Sequence, residues 1–247
     1  MSIKSPADLL KLQIIGSIVR KALDATAAAV RPGITTAELD QIGARVLAEH
    51  GAESSPPKVY NFPGAFCISV NDEAIHGIPG DRVIRAGDLV KLDLVAEKDG
   101  FFADAAVTVC VGAVSTTAAA LARCAETAFR KAAQVARAGN RINDIGKAVE
   151  NETRRCGFQV MKSYCGHGVG SAIHEPPQVL NYHDPASRAK LTEGLVLTIE
   201  PIIAAGKGKG VLQRDHWTIR TADGSLAAHY EHTLVITKGE PVLVTAA

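Results

Sequence analysis

The order of helical and strand-like stretches predicts an α+β protein of two halves related by a pseudo-twofold axis, with a central antiparallel sheet covered by helices. Three observations carry this. Two helical patterns precede a run of short β-rich segments, and the same order then recurs. "CISVNDEAIHGIP", beginning at Cys67, lines up without gaps on "CGHGVGSAIHEPP", beginning at Cys165, sharing the cysteine, an Ala-Ile-His triplet and the last proline. "GDLVKLD" ending at Asp93 lines up on "GLVLTIE" ending at Glu200, with a glycine six residues before the acid in each. Residues 1–247 are read as one domain with halves of about 1–112 and 113–247.

The elements follow in order. Ser5, Pro6 and Asp8 start a helix whose apolar residues, Leu10, Ile14, Ile18 and Ile15, Val19, Leu23, keep helical spacing to about Val30. Thr35 and Glu38 form a capping-box pattern for a second helix that stops near Gly51. A Pro-rich connection, "SSPPKVYNFPG", leads to β-rich runs from about Phe66 to Val111 with turns at "PGD" and "KDG". Helices over about 116–137 and 143–156 open the second half, and β-rich runs continue from Gln159 to the end.

Composition excludes several classes. A chain of 247 residues with 47% apolar residues can bury a large core, and a formal net charge of +1 gives no electrostatic basis for specific DNA binding. Five cysteines without zinc-finger spacing suit a reducing compartment, and the chain is read as cytoplasmic. The first helix carries Asp8, Arg20 and Lys21 within its apolar pattern, so it is not a signal peptide, and no stretch is long enough for a membrane span.

"VKLDLVAEKDGFFADAAVTV" reads as a β-hairpin that brings two like charges together. With a Lys98-Asp99 turn, Asp93 sits directly opposite Asp104; with an Asp99-Gly100 turn, the two are diagonal neighbours on one face. The second half supplies Glu200 and, after the Asp223-Gly224 turn, Glu231. Four carboxylates meeting in an apolar sheet cannot all ionise unaided, because each buried charge costs several kcal/mol and repels the others. Divalent cations resolve the conflict, and an added imidazole favours Mn, Fe, Co or Zn over Ca or Mg. Two such ions, roughly 3.5–4 Å apart with bridging acids, make hydroxide from water and clamp a tetrahedral intermediate.

The histidines divide by the repeat. His76 and His174 are equivalent, which suits proton donors or oxyanion partners flanking a substrate; His167 falls opposite Ser69 and, as the unmatched one, suits a metal ligand. Glycines around His167 allow close backbone approach. His50, His183, His216, His229 and His232 have no matched partner and are read as surface or structural. Cys67 and Cys165 are read as buried small residues rather than nucleophiles, and "CGHGVGS" has neither dinucleotide-binding nor Walker spacing. Lys207, Lys209, Arg214 and Arg220 are read as a solvated turn, with weak ribosome contact as the other reading.

"NDEAIHGIP", "KLDLVAEKDGFFAD", "YCGHGVGSAIHEPPQV", "TIEPII" and "HYEHTLVIT" together resemble the motifs of type I methionine aminopeptidases, in the same order, over about Ser5 to Thr237. The match is to the short bacterial form. The resemblance implies the pita-bread fold and removal of the initiator methionine from nascent polypeptide N-termini when the second residue is small. It implies two divalent ions (Co, Mn, Fe or Zn) held by Asp93, Asp104, His167, Glu200 and Glu231, with Asp104 and Glu231 bridging. It further implies that His76 and His174 contact the substrate backbone and developing tetrahedral centre, that Glu200 is the base for the water, and that Phe62, Cys67, Ile173 and Trp217 line the side-chain pocket. The family often has an aromatic residue where this chain has Ile173, and a cysteine where it has Pro56. A monomer without membrane partners is expected. The rival readings are an X-Pro aminopeptidase or prolidase specificity and an inactive peptide-binding module of the same fold.

Overall fold

Ser5 opens the first helix because its hydroxyl accepts from the Asp8 N–H while the Asp8 carboxylate accepts from the Ser5 N–H; Pro6 sits where an N–H would have no helical acceptor. The resulting α1, Pro6–Ala29, turns Leu12, Ile15, Val19 and Leu23 inward. Thr35 and Glu38 cap α2, Thr36–Glu49, in the same reciprocal way. The structure is a computed structural model and describes residues 1–246. After α2 come β1 (Glu53–Ser54), the one-turn helix α3 (Pro56–Tyr60), β2 (Cys67–Val70), β3 (Glu73–Ile75), β4 (Leu89–Lys98) and β5 (Phe101–Cys110). The Pro-rich connection thus contains a helical turn: prolines at its first two positions sacrifice no hydrogen bond, and Asn61 at φ 58° ends it.

The second half repeats the plan. Ser115 caps α4, Thr116–Val135, and α5 spans Ile142–Arg155. Then follow β6 (Gln159–Val160), β7 (Cys165–Gly168), β8 (Glu175–Leu180), β9 (Val196–Ile199), β10 (Ile202–Ala204), β11 (Gly210–Leu212), β12 (Ile219–Thr221), β13 (Ala227–His229), β14 (Glu231–Val235) and β15 (Val242–Leu243). No helix among the described residues is long and apolar enough to cross a membrane.

Nine strands form the main sheet, running β1-β4-β5-β14-β9-β7-β8, with β2 also on β4 and β15 on β14. The pseudo-dyad passes between β5 and β14: β4 corresponds to β9, and β2 beside β4 to β7 beside β9. At the seam, Glu231 pairs with Ala106 and His232 with Ala105, and the Thr233 hydroxyl both accepts from Asp104 N (2.8 Å) and donates to Asp104 O (2.8 Å).

Each half covers its strands with its own helices. Leu12, Ile15, Leu23, Leu39 and Leu47 pack with Leu92, Leu94 and Ala105, while Leu121, Phe129, Ile145 and Val149 pack with Leu197, Ile199 and Leu234. Full burial of each of these leucine, isoleucine, valine and phenylalanine side chains contributes about 1.5–3 kcal/mol. Strand alternation decides what remains for the other face. With Leu92 and Leu94 turned to the helices, Lys91, Asp93 and Val95 turn away from them; with Ala103 and Ala105 inward, Asp104 and Ala106 share the face of Asp93. Two three-stranded sheets, β13-β10-β6 and β11-β12-β3, complete the fold.

Candidate metal centre

The β4–β5 hairpin settles the register left open by its sequence. Lys98 pairs with Phe101, so Asp99 and Gly100, at φ 52° and 79°, form the two-residue turn. Asp93 therefore faces Ala106 and Asp104 faces Val95, making the two aspartates diagonal neighbours. Glu200 follows the end of β9 and Glu231 begins β14, bringing the acids of both halves to the seam.

His167 is positioned by close backbone packing. A Cβ at Gly166 would lie 2.5 Å from Thr198 O, and one at Gly168 2.3 Å from Pro176 O, so β7 approaches its neighbours only with glycine at both places. The His167 Nδ1 lies 2.9 Å from Gly168 O, which assigns the ring proton to Nδ1 and frees the Nε2 lone pair. That Nε2 stands 3.5 Å from Glu200 Oε1 and 3.8 Å from Asp104 Oδ2. The Thr198 hydroxyl donates to Glu200 Oε1 (3.0 Å) and accepts from His167 N (3.1 Å), locking the two together.

Electrostatics mark the cluster as incomplete without a cation. Burial pushes Asp104, Glu200 and Glu231 well above the usual carboxylate range, and mutual repulsion adds to it: Glu231 and Asp93 act on Asp104, while Glu231, Asp104 and Asp93 act on Glu200. Burial also raises Asp93, against an opposing effect of His229. Burial and His174 hold His167 down at about 4, so the imidazole is a neutral lone-pair donor at pH 7. Asp104 Oδ1 and Glu231 Oε1 are buried without any hydrogen-bond partner. Such orphaned acceptors in a set of carboxylate and imidazole donors fit divalent metal binding. Two groups satisfy a ligand-like geometry, Asp104–His167–Glu231 and Glu200–His229–Glu231, with Glu231 common to both. Asp93 belongs to neither group but lines the same cavity.

That cavity has a volume of about 420 Å³ and brings together every site residue named from the sequence: Phe62, Cys67, His76, Asp93, Asp104, His167, Ile173, His174, Glu200, Trp217 and Glu231. Phe62 and Trp217 meet edge to face with centroids 5.2 Å apart, forming an apolar wall. His76 lies at φ 57°, an uncommon conformation for a side-chain-bearing residue, held by Ile68 N donating to Gly77 O (2.8 Å) and Gly77 N to Ser69 Oγ (2.9 Å). Withdrawal from water, with His229 and His174 nearby, lowers its pKa to about 4. The ring of His174 lies 4.2 Å from that of His167. Cys67 and Cys165 are half-buried; burial, then Asp93 and Asp104, drives the Cys67 thiol well upward, which keeps it protonated and unsuited to nucleophilic attack.

Two participants were not legible beforehand. Tyr60 OH lies 2.7 Å from His174 Nδ1, although 114 residues separate them. His229, grouped above with surface or structural histidines, lies buried against Glu200 and Glu231. Its signal in "HYEHT" was the spacing of two residues from Glu231. The nearby His232 instead packs on Phe129 and bonds Thr245 Oγ1 at 2.8 Å, a structural role.

A family model described as metallopeptidase family M24 matches residues 11–238, and the chain belongs to that family. Methionine aminopeptidase 2 of Bacillus subtilis (strain 168) is 44% identical over 247 residues, 99% of each chain. The crystal structure of methionine aminopeptidase from Thermotoga maritima matches the whole of both chains with a TM-score of 0.96 and 33% identity. Prolidase from Pyrococcus furiosus shares the pita-bread fold at a TM-score of 0.79 and 21% identity, with this chain spanning 65% of it.

Proposed function

We propose that this chain is a dinuclear metalloaminopeptidase that removes N-terminal methionine from nascent proteins and peptides when the second residue is small. One observation carries the reading: five donor side chains from both halves converge on the floor of a cavity walled by Phe62, Ile173 and Trp217, in a chain 44% identical over nearly its full length to a methionine aminopeptidase. Asp93, Asp104, His167, Glu200 and Glu231 would hold two ions, with Mn, Co, Fe and Zn all compatible with the mixed oxygen and nitrogen set. Once bound, the ions supply Lewis acidity and lower the pKa of water.

The chain's own groups supply the rest. The apolar wall takes an unbranched thioether side chain, placing the scissile carbonyl over the acids. A Glu200 carboxylate oxygen accepts the proton of the attacking water and passes it on to the departing amine. His174, steadied by Tyr60, would stabilise the carbonyl oxygen as its charge develops, and His76, lining the same cavity, would contact the peptide backbone.

Purified protein reconstituted with Mn²⁺ or Co²⁺ is expected to cleave Met-Gly-type peptides and to leave their N-acetylated forms intact. Absence of turnover with every divalent ion tried would overturn the proposal. An X-Pro specificity would instead show as Ala-Pro cleavage exceeding that of Met-Gly.

A further inference from the structure

His229 is 2% exposed, and neither of its ring nitrogens has a hydrogen-bond partner. A buried polar atom left unpaired costs about 1–3 kcal/mol, and the contrast within the same segment is sharp, since His232 bonds both of its nitrogens, to Thr245 Oγ1 (2.8 Å) and Tyr230 OH (3.2 Å). The His229 ring is aimed at two carboxylates. Its Nε2 stands 3.4 Å from Glu231 Oε2 and 3.9 Å from Glu200 Oε2, and forms a hydrogen bond with neither. Donor atoms sharing one ion through bonds of about 2.0–2.2 Å lie roughly 3–3.6 Å apart, so the 3.4 Å separation from Glu231 Oε2 is that of co-ligands, while Glu200 Oε2 at 3.9 Å would have to move in by a few tenths of an ångström.

Glu200 divides its carboxylate between the two imidazoles: Oε1 is the oxygen nearest His167, and Oε2 the oxygen nearest His229. The His229 backbone is fixed as well. Its N–H donates to Thr108 Oγ1 (3.0 Å), its carbonyl accepts from that hydroxyl (2.7 Å), and it pairs with Ile202 of β10. The backbone is thus held in place beside the acids, and the ring, 2% exposed, is enclosed there by its surroundings. It does not line the substrate cavity, so ligation from this side would leave the cavity face of the site open.

We infer that His229 is a sixth protein ligand, binding the second ion together with Glu200 and Glu231, so that each ion of the pair carries one imidazole. This rests on the dinuclear reading above. Its chemical consequence is that the second position is not an all-oxygen site: a nitrogen donor there raises its affinity for Co²⁺ and Zn²⁺ relative to Mn²⁺.

The test combines a titration with a spectroscopic count. Metal-free wild-type protein is titrated with Co²⁺ by calorimetry, and the doubly loaded protein is examined by cobalt-edge X-ray absorption, in which imidazole gives resolvable outer-shell scattering. Two binding events and about one imidazole per ion are expected. In His229→Gln, the second event should weaken by at least about tenfold, the first should stay unchanged, and the imidazole count should fall to about half. If His229→Gln does not fold, judged by circular dichroism, the wild-type count decides alone. Two bound ions with only about half an imidazole per ion would overturn the inference and leave the dinuclear reading standing; fewer than two ions bound would overturn both.

Discussion

Replacing Asp104 with Asn should have opposite effects on the metal-free and metal-loaded protein. Asp104 is 6% exposed, one of its oxygens is unpaired, and Glu231 and Asp93 both repel its charge. Its folded pKa lies well above the unfolded value of 3.8, so between those two values the native state binds more protons than the unfolded state and stability falls as pH rises. Glu200 and Glu231 act in the same direction. Each carboxyl held protonated in the native state contributes up to about 1.4 kcal/mol of lost stability per pH unit over that window. Taking one charge out of the cluster at pH 7.5 should then stabilise the metal-free protein by on the order of 2 kcal/mol, or about 4–8 °C in Tm for a chain of this size. With ions present the order reverses. At a hundredfold excess over Kd a bound ion adds about 2.7 kcal/mol to the wild type, and Asp104→Asn should forfeit most of that gain together with turnover. Thermal unfolding of both proteins, with chelator and with Mn²⁺, at pH 5 and pH 7.5, tests the crossover. A metal-free wild type as stable as the variant at pH 7.5, or a wild-type Tm indifferent to Mn²⁺, would refute the assignment of Asp104 to a cation-dependent cluster.

Other outcomes follow from the same geometry. Tyr60→Phe removes a 2.7 Å hydrogen bond to His174, and kcat on a Met-Gly-type peptide should fall about fivefold with little change in Tm. Gly168→Ala would set a Cβ 2.3 Å from Pro176 O, so the protein should lose about 1–3 kcal/mol in urea unfolding and bind metal more weakly as His167 shifts. Asp215 holds the turn bearing Trp217: burial alone would raise its pKa, but acceptance from Trp217 N, Thr218 N and Thr218 Oγ1 outweighs this and lowers it. The ordering that the carboxylate provides is therefore present above pH 3.8 and lost as pH falls through the lower folded value. Asp215→Ala should raise KM severalfold while leaving kcat and Tm nearly unchanged, as measured by steady-state kinetics across peptide concentrations.

The parts of the fold readable from sequence were those written in local chemistry. Ser5 and Thr35 announce helix starts through residues three positions away, and the Cys67 and Cys165 segments announce the duplication through identity of letters. The register of the β4–β5 hairpin was only half readable, because Lys98-Asp99 and Asp99-Gly100 are both plausible turns, and pairing with β2 and β14 along whole strands decides between them. The short helix at Pro56 was hidden because prolines break helices everywhere except at their first turn. Tyr60 was invisible, and His229 only half visible, for a different reason. Nothing in "KVYNFPG" encodes that the hydroxyl reaches a histidine 114 residues away, and "HYEHT", though it sets His229 two residues before Glu231, does not encode that β13 of the β13-β10-β6 sheet brings the ring against acids of the main sheet.

The Thr233 hydroxyl, which ties Asp104 to β14 across the seam, has a consequence for how the duplicated halves can change. Each half owns only part of the donor set, and the two shares are stitched together at the backbone atoms of one of the donors themselves. Damage to either half is thus felt at once by the other, and neither copy is free to drift toward a separate role. What began as two equivalent lobes has become a single indivisible instrument.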